Sequence, residues 1–339
     1  MANIQSIING FKAAIDSTTA ADSITAPVTS AAVGAALGTD TAMQFVYADD
    51  LTVPAGGFSN IYAFGDSLSD AGNISTATAG VLPVSSVYSD GRFTNGNVWV
   101  QDLAQNLGLP IPKASLLGGT DYAYGGAETG QTSVHTVNPS DLPSQLGQFV
   151  ANVPDPSPNA LYTVWAGSND VLDIANSTET PAQQQATVQQ AVNNEVGFID
   201  GLVAHGAKDL VVMGVPDLGV TPYEEARPAS DAASSALAQT YNADLGAALQ
   251  QIMASGAAEV DYINTYAMLD AAVTNPSAYG FTNVTQPVWN GNLTDANSGT
   301  LAAAGSAQNG YLFFDSLHPT ASGHALLAAG VTQSLTGTA

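Results

Sequence analysis

Four short apolar runs rich in β-branched and aromatic residues, at 61–64, 160–165, 209–215 and 260–263, recur along the chain with long stretches of helical spacing between them. Runs this short suit buried strands rather than buried helices, and strands joined through helices pair in parallel. A parallel sheet needs cover on both faces, so the pattern confines the chain to α/β layers. Within the intervals, Val188, Val192, Val196, Ile199 and Val203 recur at three and four residues, after Pro181, which suits a first helical turn. Leu237, Tyr241, Leu245, Leu249 and Ile252 form a second stripe that ends at Gly256, and Trp99, Leu103 and Leu107 a third that ends at Gly108. No unit of about 20 to 50 residues repeats, which argues against a solenoid or propeller.

The first run stops at Gly65, and Ser67 stands just past the break in Asn-Ile-Tyr-Ala-Phe-Gly-Asp-Ser-Leu-Ser-Asp-Ala-Gly-Asn, residues 60–73. A turn at the carboxyl end of a parallel strand is where open sheets place their ligand crevices. Two readings fit these residues alone: an Asx-capped turn, or a nucleophilic Ser67. The second informative stretch is Phe313-Phe314-Asp315-Ser316-Leu317-His318-Pro319. An aspartate three residues before a histidine can bind one imidazole nitrogen, fix the tautomer and favour the imidazolium formed when the other nitrogen takes a proton. A helix-capping aspartate beside a half-buried histidine is the plainer alternative. Thr320 suits the N-cap of a last helix carrying Leu326, Leu327 and Val331.

Oxyanion donors could come from Asp121-Tyr122-Ala123-Tyr124-Gly125-Gly126-Ala127 or from Trp165-Ala166-Gly167-Ser168-Asn169-Asp170, each equally readable as an ordinary turn. The remaining histidines suggest less. His135, with no acid three or four residues away, reads as a surface residue; His205 as a helix terminus; and His324 as part of the last helix without a metal-ligand spacing. No cofactor and no metal are expected.

Composition narrows the partners. Five Lys and Arg (Lys12, Arg92, Lys113, Lys208, Arg227) face 29 Asp and Glu, for a net charge of −24. Scattered and scarce bases argue against nucleic acid, and the acidity opposes anionic membrane surfaces. A small-molecule or lipid ester would have to be reached through apolar contact or neutral headgroups. Cysteine is absent, which removes disulfides and thiolate metal sites. No stretch reads as an ordinary signal peptide, and none approaches the ~18 apolar residues of an integral membrane segment. An extracellular or cell-surface location is expected, with a cytoplasmic one left open.

Residues 1–57 differ in texture: Ala, Thr, Ser and Asp dominate, only Ile4, Ile7, Ile8, Phe11 and Ile15 share a helical face, and Pro54-Ala55-Gly56-Gly57 reads as a hinge. They are expected to form a low-complexity or partly helical extension to a catalytic domain over 58–339. A long polar stretch at 272–311, with Phe281 and Trp289, is expected to shape the cleft.

Taken together, Gly65-Asp66-Ser67-Leu68, Gly126, Gly167-Ser168-Asn169-Asp170 and Asp315-Ser316-Leu317-His318 resemble, in order, the four signature blocks of the GDSL, or SGNH, hydrolase family. Asp90-Gly-Arg-Phe-Thr-Asn-Gly96 and Pro216-Asp-Leu-Gly219 are similar to the branch holding lecithinase or haemolysin-type phospholipases, autotransporter esterases and plant secreted lipases. The resemblance spans residues 59–335. It implies a three-layer α/β/α sandwich with a flavodoxin-like parallel sheet. It also implies a carboxylic esterase or lipase with Ser67 as nucleophile, His318 as base and acid, and Asp315 orienting it. The oxyanion would be held by the Ser67 and Gly126 N–H groups and the Asn169 side chain. Because Gly125 and Gly126 are adjacent, that donor could be either. An acyltransferase, a carbohydrate acetylesterase, or a non-catalytic surface module are the alternatives.

Overall fold

A computed structural model of the protein describes residues 51, 53–227 and 230–336. Most of the expected amino-terminal extension, including its isoleucine stripe, lies outside the described residues. The four apolar runs form strands β1 (Ile61–Gly65), β2 (Leu161–Trp165), β3 (Asp209–Met213) and β4 (Glu259–Ile263), paired in parallel in that order. A fifth stretch, 120–124, which its Thr-Asp-Tyr-Ala-Tyr sequence does not mark as a strand, runs beside β1 in parallel. Ala63 N–H donates to Thr120 O (3.1 Å), and Tyr122 N–H returns to Ala63 O (2.7 Å). With it the spatial order is that of a flavodoxin-like sheet, whose switch point lies between β1 and β2.

Side chains alternate across the sheet as the pleat requires. Tyr62, Phe64, Val164, Val212 and Val260 face α3 (Leu142–Asn152), α4 (Ser168–Ala175), α5 (Pro181–Ala204) and α7 (Asp231–Ala254). Ile61, Trp165, Val211 and Ile263 face α2 (Trp99–Asn106), α8 (Thr265–Thr274) and α9 (Ala321–Thr336). The result is the three-layer α/β/α sandwich, with two short helices, α1 (Asn73–Ala77) and α6 (Pro222–Glu225), in the connections. Both long helical stripes lie where their spacing put them, with Pro181 opening α5 and Gly256 following α7. Phe64 stacks on Tyr122 at 5.5 Å and meets Phe149 edge-on at 5.3 Å. Each such fully buried ring contributes about 1.5–3 kcal/mol through desolvation.

Gly65 holds the strand end together. Its φ is +134°, and a Cβ there would fall 1.9 Å from Trp165 O, so only glycine lets β1 run this close to β2. The Gln145 side chain of α3 takes its N–H (2.9 Å) and gives to its carbonyl (2.7 Å).

Candidate active site

The turn after β1 is wound on Asp66. Its carbonyl accepts the N–H groups of Ser69 (3.2 Å) and Asp70 (3.1 Å), and its Oδ1 accepts that of Leu68 (2.9 Å). Ser67, at the apex, is left without an acceptor for its N–H among the described residues. Asp66 Oδ2 has no hydrogen-bond partner among the described residues, and burial pushes this carboxyl up to about 7 against the Leu68 hydrogen bond. Asp66 therefore winds the loop, as a cap does.

Ser67 Oγ lies 2.8 Å from His318 Nε2, and His318 Nδ1 lies 2.9 and 2.8 Å from the two carboxylate oxygens of Asp315. All three residues are buried. A carboxylate only accepts, so Nδ1 carries the proton and Nε2 is free to accept from Ser67. Burial alone would raise the Asp315 pKa. The facing imidazole of His318 and the N–H groups of His318 (2.8 Å) and Leu317 (2.9 Å) outweigh it and hold the group below its ordinary value.

A residue that sequence reasoning missed completes this shell. Tyr88 O–H donates to Asp315 Oδ2 at 2.8 Å. Tyr88 sits two residues before the matched block 90–96, whose role the structure supplies. Phe93 packs against the His318 ring at 5.1 Å, Thr94 donates to Pro319 O (2.9 Å), and Asn95 Oδ1 accepts the Ala321 N–H that opens α9 (2.7 Å). Adjacency to that block was the one available signal. Thr320 Oγ1 accepts the Gly323 N–H at 3.2 Å, the expected cap.

The donor side is built from two loops. Gly167 opens α4 with φ +91°, and a Cβ there would fall 2.5 Å from the Tyr241 ring. The bare backbone lets Asn169 turn back so that its Nδ2 donates to Ala127 O (2.8 Å), leaving its second hydrogen for another acceptor. Gly125 N–H is already taken by Asp70 Oδ2 (2.8 Å), whereas Gly126 N–H meets no acceptor among the described residues. Of the two adjacent glycines, Gly126 is thus the one whose N–H is uncommitted. Asp70 also accepts the Gly72 N–H (2.8 Å), and Asn73 Nδ2 donates to the carbonyls of Asp121 (2.8 Å) and Ala123 (2.9 Å). Asp70 and Asn73 thus pin the Ser67 loop to the Gly126 loop.

Ser67, Asn169 and His318 line one mouth of a cleft of about 770 Å³, part of it open to solvent. Gly126 borders the site through Ala127 and is not part of the cleft wall. Away from the mouth the walls are apolar, with Met268 and Leu269 from α8 and Leu326 and Leu327 from α9.

Two expectations need correction. Residues 272–311 do not form the wall beyond Ala272: Trp289 is fully buried with Tyr88, Phe93 and Phe314, and its backbone N–H donates to Phe314 O (2.6 Å). Phe281 packs with Leu312 and Phe313. The stretch therefore buttresses the segment carrying His318 instead of covering the cleft. His135 is not a surface residue either, because it is clasped by Glu128 (2.7 Å) and Asp141 (2.8 Å). Those acids lie seven and six positions away, outside any local spacing rule. Elsewhere, His205 caps α5 and meets Val153 O at 2.7 Å. His324 is buried, accepts the Trp99 N–H at 3.2 Å, and is pushed down to about 3 by its burial, so it stays neutral. No helix among the described residues is long and apolar enough to cross a membrane.

Comparison with known proteins supplies the family. Residues 61–331 match the model of the GDSL-like lipase/acylhydrolase family. A phosphatidylcholine-sterol acyltransferase of Aeromonas hydrophila is 33% identical over 52% of this chain and 50% of its own length. A GDSL esterase/lipase of Arabidopsis thaliana is 27% identical over 77% of this chain and 82% of its own. Esterase EstA of Pseudomonas aeruginosa is 30% identical over 80% of this chain, which spans 46% of that relative. The chain belongs to the GDSL-like lipase/acylhydrolase family, hydrolases that act on ester bonds.

Proposed function

We propose that the protein is a serine esterase or lipase that cleaves carboxylic esters of apolar acyl chains through an acyl-enzyme on Ser67. One observation carries the reading: Ser67 Oγ, His318 and Asp315 form an unbroken hydrogen-bonded line at the mouth of an apolar cleft. In the first half-reaction Ser67 Oγ bonds to the ester carbonyl carbon while His318 Nε2 takes its proton. Asp315, held ionised, keeps the ring oriented and offsets the imidazolium charge. The oxyanion meets the N–H groups of Ser67 and Gly126 and the free hydrogen of Asn169 Nδ2. His318 then returns the proton to the departing alcohol, and water repeats the sequence on the acyl-enzyme. The apolar walls from α8 and α9 favour the acyl chain on that side.

The name of the Aeromonas relative favours one second reading, acyl transfer to an alcohol other than water. Adding an acceptor alcohol and analysing products separates the two. The extracellular or cell-surface location belongs to the same proposal; fractionating the producing cells for Ser67-dependent activity tests it.

The deciding experiment is turnover of p-nitrophenyl butyrate by three variants. Ser67→Ala and His318→Ala should each lose nearly all activity, because the triad acts as a unit, while Asn169→Ala should lose roughly 10²- to 10³-fold in kcat. Wild-type turnover in Ser67→Ala, or small and equal losses in all three, would remove the assignment.

A further inference from the structure

Next to the proposed oxyanion loop, and outside the lining of the acyl cleft, Glu128, His135 and Asp173 bring one ligand atom each to within 4.8 Å of one another. The three come from different places: Glu128 from the loop after 120–124, His135 from the following polar stretch, and Asp173 from α4. Asp141, the residue before α3, accepts from His135 Nε2 at 2.8 Å. It is itself held by the N–H groups of Glu128 (2.9 Å) and Asn138 (2.7 Å). That contact fixes the ring so that Nδ1 faces Glu128, 2.7 Å away. An imidazole whose far nitrogen is braced by a buried carboxylate, with its near nitrogen turned toward two further carboxylates, has the outer-shell arrangement of metal-binding histidines.

A second observation is independent of the acidic grouping. Glu128 is only 4% exposed, yet no N–H or O–H donor among the described residues reaches its Oε2, and the Asp173 carboxyl beside it can pair with it only through a shared proton. A buried carboxylate oxygen without a donor is costly, and pairing or metal coordination is the usual way to offset that cost. Asp173, exposed on α4, opens the cluster to solvent, which supplies an entry path.

We propose that Glu128, His135 and Asp173 form a binding site for one divalent transition ion of the zinc class. One imidazole nitrogen and two carboxylate oxygens suit a borderline ion, and water can complete its shell; calcium, which takes oxygen ligands, fits poorly. Binding displaces whatever proton lies between His135 and Glu128, and the Nε2 contact with Asp141 is unchanged. The ion would tie Glu128, two residues after Gly126, to Asp173, four residues after Asn169. It would thereby lock the loop and the helix that carry two of the proposed oxyanion donors. The binding itself does not depend on the esterase reading.

Calorimetric titration of chelator-stripped wild type with ZnCl₂ should give one equivalent bound. Tm should rise by several degrees once free zinc exceeds the dissociation constant ~100-fold. CaCl₂ should produce no such rise. Asp173→Asn, at an exposed position, and Glu128→Gln, which keeps the shape, should retain their circular dichroism and lose both the equivalent and the rise. Absence of a zinc response in the wild type, or a response unchanged in Asp173→Asn, would leave only a shared proton in the cluster and overturn the site.

Discussion

At the scale of single residues, the chain uses its many acids in two opposite ways. Asp315 is stabilised as an anion by an imidazole and two N–H groups, whereas Glu195 of α5 is buried with only the Tyr241 hydroxyl against Oε2 and nothing at Oε1. Burial, opposed by that hydroxyl and reinforced by the charges of Asp170 and Asp66, pushes Glu195 from 4.5 up to about 8. Between those values the folded chain holds a proton that the unfolded chain has released, so stability is full below 4.5 and is lost as pH rises through 8. Glu195→Gln keeps an acceptor for Tyr241 and cannot ionise. Urea unfolding should show the variant losing less stability than wild type between about pH 5 and pH 8, by at least ~1 kcal/mol. Parallel losses in the two proteins would mean that Glu195 ionises freely in the fold.

At the scale of elements, β1 and its turn carry the proposed nucleophile, α4 and the 125–135 loop the proposed donor side, and the stretch before α9 the proposed base. The strands and long helices were legible because their periods are local: Val188 to Val203 and Leu237 to Ile252 each state a face within one element. The triad was legible because Asp315 and His318 share a turn and Ser67 follows a strand break. Tyr88, His135 and Trp289 were not. Tyr88 and Trp289 take their partners from distant segments (Asp315 and Phe314), and His135 takes its own from Glu128 and Asp141, seven and six positions off, beyond any helical or strand spacing. The 120–124 strand escaped for a related reason, since its identity lies in hydrogen bonds to β1 rather than in its side chains. The α8–α9 wall yields a prediction at this scale. Leu327→Trp, at a half-buried wall position, should narrow the cleft away from Ser67 and lower kcat/KM for a twelve-carbon acyl ester about 10-fold relative to a four-carbon one. Equal effects on both chain lengths would place the acyl group elsewhere.

At the scale of the whole molecule, a net charge of −24 acts before any contact is made. An anionic lipid surface repels the chain over a Debye length, about 30 Å at ~10 mM salt and about 8 Å at ~150 mM. Hydrolysis of an ester dispersed in anionic vesicles should therefore rise with salt over that range, while in zwitterionic vesicles it should stay flat. A rise of the same size in both would trace the effect to the lipid rather than to charge. The distance along the chain between Ser67 and His318, 251 residues, has a consequence of another kind. During synthesis the serine and its loop leave the ribosome long before the histidine exists, and amino-terminal segments begin to fold first. A half-made chain holds a nucleophile with no base, so it is chemically silent. On the proposed assignment, competence arrives only when the stretch ahead of α9 docks across the sheet and brings His318 to Ser67.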